Sequence, residues 1–178
     1  MHIEKTPIDG LFVIKLDVRE DSRGLFLETF RVSELQKALS TKPFVQGCHS
    51  RSNKNVLRGL HAEPWDKLIY VAQGKVFSAF ADLRPDSNTF GKFQSFELGE
   101  NNRIALYVPN GLAHGFCVLS DTADYTYLFT DEYQGQPKLA VAWDDKDLNI
   151  PWPVKQPILS DADTKNPTLR QLYPEKFK

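Results

Sequence analysis

The stretch VLRGLHAEPWDKLIYVAQGKVFSAFADLR, residues 56–84, contains three short apolar runs that turn residues separate. Runs of this length that are rich in Val, Ile, Tyr and Phe and bounded by Gly or Pro are typical of β-strands, so the stretch predicts three successive strands. Between the first two runs lies a group of ionisable residues that a purely structural strand would not need: Arg58, His61, Glu63, Asp66 and Lys67.

Further strands are predicted on both sides of this stretch, separated by turns that contain Gly, Pro or Asn. Many short strands at such spacing are typical of a β-sandwich or barrel, so the predicted fold class is all-β. The further candidates are LFVIKLDV (11–18), LFLETF (25–30), FVQGCHSRS (44–52), FQSFELG (93–99), RIALYVP (103–109), HGFCVLS (114–120), DYTYLFT (124–130) and LAVAW (139–143), with REDSRG (19–24) as a turn.

Two segments depart from the strand pattern. SELQKALS (33–40) predicts one short helix, with Ser33 and Gln36 as a capping box. After Trp143 the chain is rich in proline, which predicts an irregular tail over residues 146–178. The tail is too apolar in places to be disordered, so we expect one domain over 1–178, with a core barrel over about 10–145 and the tail packed over it.

Composition and motifs exclude several classes of function. Lys and Arg number 22 against 23 Asp and Glu, so there is no global charge to attract nucleic acid or an anionic membrane. No apolar run approaches the ~20 residues of a membrane span, and no signal-peptide pattern is present, which favours a cytoplasmic protein with reduced thiols. The sequence also lacks the motifs of hydrolases, kinases and dehydrogenases.

The charged segment RGLHAEPWDK could form a reactive site. Arg58 and His61 would point to opposite faces of a regular strand, but a bulge at Gly59 would bring both to one side. Arginine suits phosphate, and neutral histidine is a common general base near pH 7. Lys67 opens the next strand and could lie close to His61. The alternative is a histidine at the rim of the fold with cations that extend into solvent.

A second candidate site involves PNGLAHGF (109–116), which places a tight turn before a histidine on a strand. This spacing also occurs in the metal sites of cupins, and the ligands would be His61, Glu63 and His114. A fourth, acidic ligand could come only from Asp66, and Lys67 beside the site would oppose the binding of a cation. The metal site therefore stays an alternative.

Two further segments are ambiguous by themselves. Alternation places Tyr125, Tyr127 and Phe129 on one face of a strand, where aromatic residues usually serve packing. Asp161 and Asp163 in ILSDAD are typical of turns, although a carboxylate next to His61 would fix the tautomer of the imidazole.

Taken together, the motifs resemble the dTDP-4-dehydrorhamnose 3,5-epimerase family over residues 20–163. The resemblance implies a cupin-type jelly-roll β-barrel that works as a homodimer on a dTDP-sugar, without a metal or another cofactor. The segments that carry it, in order, are DSRGLFLETF, FVQGCHSRSNKNVLRGLH, KLIYVAQGKVFSAFADLRPDSNTFGKF, PNGLAHGFCVLS, YLFTDEY, AWDDKDLNIPWP and PILSDAD.

The resemblance implies a role for each candidate residue. His61 would be the general base, oriented by Asp163, and would remove a proton next to the C4 ketone of a 4-keto-6-deoxy-hexose. Lys67 would stabilise the enolate oxygen, and Tyr127 would return a proton from the opposite face. The implied substrate-binding residues are Arg23, Glu28, Gln46, Ser50, Arg58, His114 and Tyr133.

The chain departs from the family pattern at several positions around this site. Gly47 and Cys48 follow Gln46 where the family usually has QDN, and LHAE replaces LHYQ or LHFQ. Lys138 stands where a glutamate is usual, and Ala162 where a basic residue is usual. These changes leave the implied base, acid and enolate partner in place. They bear on sugar recognition and on whether both C3 and C5 are inverted. Three alternatives stay open: an epimerase that inverts only C3 or C5, a metal-dependent cupin, and a sugar-nucleotide-binding subunit without catalysis.

Overall fold

The computed structural model describes residues 2–135 and 138–177 of the chain, and β-strands dominate this part. The predicted all-β class is confirmed. The elements are β1 (His2–Lys5), β2 (Phe12–Lys15), β3 (Val18–Asp21), β4 (Gly24–Leu27), α1 (Val32–Leu39), β5 (Gln46–Asn53), β6 (Leu57–Ala62), β7 (Lys67–Gln73), β8 (Lys75–Asp82), β9 (Phe93–Gly99), β10 (Ile104–Val108), β11 (Leu112–Val118), β12 (Thr122–Phe129), β13 (Leu139–Ala140) and α2 (Leu169–Leu172).

Two antiparallel sheets form the body of the protein. The six-stranded sheet has the order β1-β2-β10-β7-β12-β5, and the five-stranded sheet has the order β13-β6-β11-β8-β9. Apolar side chains from both sheets fill the space between them, among them Ile69 of β7, Tyr125 of β12, Phe80 of β8 and Phe116 of β11. The arrangement is the predicted jelly roll, with two facing sheets and a core between them.

The predicted helix is present, one residue earlier than expected, as α1. It buries Leu35 against the outer side of the six-stranded sheet. The capping box at Ser33 was a wrong prediction: the N-cap is Arg31, which makes no side-chain capping bond, and Ser33 already lies within the first turn. No helix in the described ranges is both long and apolar enough to cross a membrane.

The region before α1 differs from the prediction. The expected strand over 11–18 is interrupted after Lys15, and the expected turn over 19–24 is largely the hairpin of β3 and β4. This hairpin is a separate two-stranded sheet, and none of its strand residues is buried. A strand without a buried face lacks the alternation of apolar and polar residues, so its sequence reads as a turn.

The tail packs on the outer face of the five-stranded sheet. Ile150 and Leu169 are buried in one cluster with Leu60 of β6 and Ala79 of β8. The tail is less irregular than predicted, because α2 begins with a capping box between Thr168 and Gln171 and 3₁₀ turns occupy Asp163–Lys165 and Pro174–Phe177.

One part of the tail runs alongside β6. The Leu57 N–H donates to the Ile158 carbonyl at 3.0 Å, and the Ile158 N–H donates to the Asn55 carbonyl at 2.9 Å. A parallel bridge between Val56 and Ile158 results. These bonds hold the segment after Ile158 next to the ionisable residues of β6.

Candidate active site

A cavity of about 500 Å³ opens between the two sheets and the tail. We call it the central cavity. Strands of both sheets and the tail segment 158–163 form its walls. Its lining residues are Cys48, Val56, Leu57, Arg58, His61, Glu63, Lys67, His114, Phe116, Tyr127, Phe129, Lys138, Ile158, Leu159, Ser160, Ala162 and Asp163.

A bulge in β6 brings Arg58 and His61 to the same wall of the central cavity, as predicted. Opposite β11, His61 pairs with His114 and Arg58 pairs with Phe116, so β6 has one extra residue in this interval. Gly59 has φ +129°, and a Cβ there would lie 2.6 Å from the Cα of Gly115. Only glycine fits this combination of backbone angle and close strand approach.

His61 and Asp163 form a hydrogen-bonded pair. His61 Nε2 lies 2.6 Å from Asp163 Oδ1, and the Gly59 N–H donates to Asp163 Oδ2 at 3.4 Å. A carboxylate only accepts, so Nε2 carries the proton and Nδ1 is the basic nitrogen. Burial lowers the pKa of His61, as does the charge of Lys138, and the bond to Asp163 opposes them. The lowered pKa favours the neutral imidazole at pH 7.

Asp163 itself is held in place by the local fold of the tail. It is 6% exposed, and it opens the 3₁₀ turn. Its N–H donates to Ser160 Oγ at 3.1 Å. Sequence reasoning did not single out Ser160, although a serine three residues before an aspartate is a known signal for such a local bond.

Lys67 is a buried cation in the central cavity. Its side chain is 2% exposed, and Nζ lies 2.5 Å from Glu63 Oε2. Burial lowers the pKa of Lys67, and the carboxylate of Glu63 opposes this effect. Lys67 and His61 both line the central cavity.

Tyr127 faces the cavity from the opposite sheet. It belongs to β12, whereas His61 belongs to β6 in the five-stranded sheet. Burial raises the pKa of Tyr127 well above its usual range, so the phenol is protonated at neutral pH and can donate. The predicted common face with its neighbours is confirmed: the ring of Tyr127 lies 4.9 Å from Tyr125 and 6.0 Å from Phe129.

His114 is a neutral residue of the cavity wall. Its Nε2 lies 2.8 Å from the Tyr125 hydroxyl, and its ring stacks on Phe80 at 5.2 Å. Burial lowers the pKa of His114 well below its usual range, and Lys67 adds to the effect.

The geometry offers no support for the three-ligand metal site. Glu63 pairs with Lys67, and His114 pairs with Tyr125. Asp66 points elsewhere, accepting from the Tyr107 hydroxyl and the Asn110 N–H. Within the described ranges, no three His, Cys, Asp or Glu residues converge as a metal site would require.

Of the seven predicted substrate-binding residues, Arg58 and His114 line the central cavity. Gln46 donates to Sγ of Cys48, a lining residue, at 3.4 Å and accepts from the Tyr133 N–H at 2.7 Å. Ser50 Oγ is buried next to Tyr127, and its hydroxyl opposes the rise of the Tyr127 pKa. Tyr133 is 60% exposed, with its ring edge-on to Trp65.

The other two predicted residues, Arg23 and Glu28, lie on or just after the exposed hairpin of β3 and β4. Arg23 pairs with Asp21 at 2.6 Å and Glu28 with Arg31 at 3.0 Å. A single copy of the chain does not bring them to the central cavity.

A jelly roll whose cavity holds a histidine–carboxylate pair on one wall and a protonated tyrosine on the other, with a buried lysine, has the features of an isomerase that moves protons at carbon. Comparison with known proteins identifies the family. A family model described as dTDP-4-dehydrorhamnose 3,5-epimerase matches residues 5–171. The chain belongs to this family.

Individual relatives match over nearly their whole length. A dTDP-4-dehydrorhamnose 3,5-epimerase of Shigella flexneri is 42% identical, and the match covers 92% of this chain and 93% of the relative. Among solved structures, a dTDP-6-deoxy-D-glucose-3,5-epimerase of Legionella pneumophila in complex with dTDP-4-keto-L-rhamnose has a TM-score of 0.92 and 37% identity, covering 98% and 95% of the two chains. A 3'-monoepimerase of Streptomyces bikiniensis has a TM-score of 0.92 and 27% identity, covering 99% and 90%.

Proposed function

We propose that this protein is an isomerase that inverts C3 and C5 of dTDP-4-dehydro-6-deoxy-D-glucose to give dTDP-4-dehydro-L-rhamnose. The observation that carries the proposal is the placement of a neutral base, His61, and a protonated acid, Tyr127, on opposite walls of one cavity. Inversion at carbon requires removal of a proton from one face and delivery of a proton to the other. Membership of the family supports the reaction, and the positions of His61 and Tyr127 support their roles as base and acid.

In the proposed mechanism His61 Nδ1 removes the proton from C5 or C3, the carbons next to the C4 ketone. The electron pair of the C–H bond moves onto the C4 oxygen and forms an enolate. The ammonium of Lys67 stabilises this oxygen, because a cation in a buried site acts with little screening. Tyr127 then donates its proton to the opposite face of the carbon. Exchange with solvent returns the imidazole and the phenol to their starting states.

Asp163 has a supporting role in this mechanism. Its bond to Nε2 keeps the proton on that nitrogen and leaves Nδ1 as the base. It also stabilises the imidazolium that forms when His61 accepts a proton, as the aspartate of a hydrolase triad does.

The dTDP part of the substrate needs groups beyond the catalytic ones. We infer that Arg58 binds the diphosphate with its planar fork and that Tyr133 offers a ring for the thymine base. Gln46, Ser50 and His114 complete the binding site in this proposal. The position of the Ser50 hydroxyl next to Tyr127 fits such a role, since it places a hydrogen-bonding group close to the proposed acid.

We infer a homodimer, because Arg23 and Glu28 do not line the central cavity of their own chain. Arg23 lies in the turn of the exposed hairpin and Glu28 directly after it, and on this hairpin Leu25 is 45% and Phe26 is 69% exposed. Apolar side chains on a projecting hairpin are suited to a second copy, and such a contact would bring Arg23 and Glu28 to the partner's cavity. We also place the protein in the cytoplasm, consistent with Cys48 and Cys117 as free thiols.

The main rival function is that of an epimerase that inverts one carbon only. It is favoured by the changed charges on the cavity wall, Glu63 and Lys138, and by the likeness to a 3'-monoepimerase. Proton NMR of the enzyme with dTDP-4-dehydro-6-deoxyglucose in heavy water distinguishes the two. Loss of both the C3 and C5 proton signals supports the proposal, whereas loss of only one establishes the single-carbon epimerase.

A metal-dependent enzyme and a binding subunit without catalysis each have a test of their own. A metal-dependent enzyme requires near-stoichiometric metal after purification, and a metal-free preparation that is active excludes it. A binding subunit without catalysis is excluded if Tyr127→Phe abolishes turnover while dTDP binding is unchanged.

A further inference from the structure

Glu63 and Lys67 form an ion pair unlike the other lysine–carboxylate pairs of the described residues. Their side chains are 19% and 2% exposed, and both line the central cavity. The pair of Lys15 and Glu4 has a similar separation, 2.6 Å, but its side chains are 58% and 39% exposed. A surface ion pair adds little to stability, and a buried pair often adds no more, because its two charges lose their solvation. Stability therefore does not account for the burial of the Lys67–Glu63 pair in this cavity.

The segment that carries Glu63 is firmly anchored. At its far end, the Asp66 N–H donates to Thr130 Oγ1 at 3.0 Å, and the Asp66 carboxylate accepts from the Tyr107 hydroxyl at 2.6 Å. Trp65, in the same segment, is buried against Phe129. These contacts fix the short connection between β6 and β7, so that the Glu63 carboxylate stays next to the first residue of β7.

The surroundings of Lys67 disfavour a charged ammonium in the absence of Glu63. Burial opposes the charge, and Lys138 adds a second positive charge in the same cavity. The other titratable groups on the cavity walls are Arg58 and His61 from β6, Cys48 from β5, His114 from β11, Tyr127 from β12 and Asp163 from the tail. The carboxylate of Asp163 is paired with His61. His114 and Tyr127 are neutral, and His61 becomes positive when it accepts a proton. Among these groups, only Glu63 supplies a negative charge at hydrogen-bond distance from Lys67.

We propose that Glu63 is a positioning residue of the reaction: its carboxylate holds the Lys67 side chain as an ammonium ion, aimed at the oxygen where the enolate charge develops. The inference rests on the role proposed above for Lys67. It assigns the Lys67–Glu63 pair a function in catalysis, since an uncharged amine would stabilise an enolate far less than a cation does. Glu63 itself touches no reacting atom in this account.

The test is the pH profile of kcat in Glu63→Gln, with Glu63→Asp as the graded variant and Glu4→Gln as the matched control. Removal of the carboxylate lowers the pKa of Lys67, so the amine loses its proton at a lower pH. The alkaline limb of the kcat profile should therefore move by about one pH unit or more toward acid. Glu63→Asp keeps the negative charge but places it farther from Lys67, because the side chain is shorter, so it should shift the limb by less. Glu4→Gln removes a surface carboxylate and should leave the profile unchanged.

Each outcome decides one claim. An alkaline limb that stays at its wild-type position in Glu63→Gln overturns the inference, because a merely structural role would lower kcat equally at all pH values. If Glu63→Gln does not fold, Glu63→Asp carries the test, and an unshifted limb there contradicts the inference. Lys67→Met separates the inference from the mechanism: full activity in that variant would refute the role of Lys67 itself, whereas an inactive Lys67→Met with an unshifted Glu63→Gln refutes only the role of Glu63.

Discussion

At the scale of single residues, the reactivity of His61 depends on charges that act in opposite directions. Burial and Lys138 favour the neutral ring, whereas Asp163 and Glu63 favour the charged one. A general base must be neutral to accept a proton and must then tolerate the charge that it acquires. The surroundings of His61 meet both needs, because the carboxylates lie close enough to stabilise the imidazolium once it forms.

Replacing Asp163 by Asn tests the orientation of His61. The amide can donate a hydrogen bond to Nε2, which would favour the wrong tautomer, so we expect kcat to fall on the order of 10³-fold. The affinity for dTDP should change little, because Asp163 bonds to His61 and to the Gly59 N–H rather than to the nucleotide. Steady-state kinetics and calorimetric titration with dTDP measure the two effects. Equal losses in rate and affinity would mean that the tail is only structural.

Replacing Lys138 by Gln tests the charge balance at His61. Lys138 lowers the pKa of His61, so its removal should raise that pKa. The base is active in its neutral form, and the acid limb of kcat/KM should therefore move to higher pH. The pH dependence of kcat/KM measures the shift, with the exposed Lys155 replaced by Gln as the control. An acid limb that does not move would show that Lys138 lies too far from the ring in solution.

At the scale of secondary structure elements, the sequence was most informative where one face of a strand is buried. FQSFELG (93–99) coincides with β9, whose Phe96 and Leu98 pack into the core between the sheets. The bulge at Gly59 was predicted from the glycine between Arg58 and His61. The sequence was least informative for the hairpin of β3 and β4, which has no buried face. The helix position followed from its apolar stripe, but its start did not, because α1 begins without a side-chain cap.

Gly59→Ala tests the bulge as the element that shapes the site. Alanine there meets both an unfavourable φ and the backbone of Gly115, so we expect a loss of roughly 2–4 kcal/mol in unfolding free energy. Gly24 has a similar φ, +119°, but nothing within 4 Å of its Cβ position. Gly24→Ala should therefore cost distinctly less. Chemical denaturation measures both variants, and equal losses would contradict the close approach of β6 and β11.

At the scale of the whole molecule, the candidate site depends on segments that are distant in sequence. Asp163 lies 102 residues after His61, and their bond could be inferred only from the family resemblance, since nothing in ILSDAD itself distinguishes a catalytic aspartate from a turn residue. The exposed hairpin presents the same difficulty, because in the proposed dimer its residues would contact the cavity of a second chain. Arg23 and Glu28 are predicted site residues, yet one chain leaves them far from its cavity.

Phe26→Glu tests whether the hairpin joins two copies. A charge at this exposed apolar position should weaken the proposed dimer, and activity should fall with it because Arg23 and Glu28 would leave the partner's cavity. Light scattering coupled to size-exclusion chromatography measures the mass, with activity assayed at the same concentrations. A dimer that persists with full activity would place the interface elsewhere.

The central claim is that His61 removes a proton from one face and Tyr127 delivers one to the other. The most direct measurement is NMR of deuterium uptake and of product stereochemistry in heavy water, for Tyr127→Phe and His61→Asn side by side. We expect Tyr127→Phe to exchange the proton at carbon without forming inverted product, and His61→Asn to do neither. Inversion by Tyr127→Phe at the wild-type rate, or exchange by His61→Asn, would contradict the two-wall mechanism.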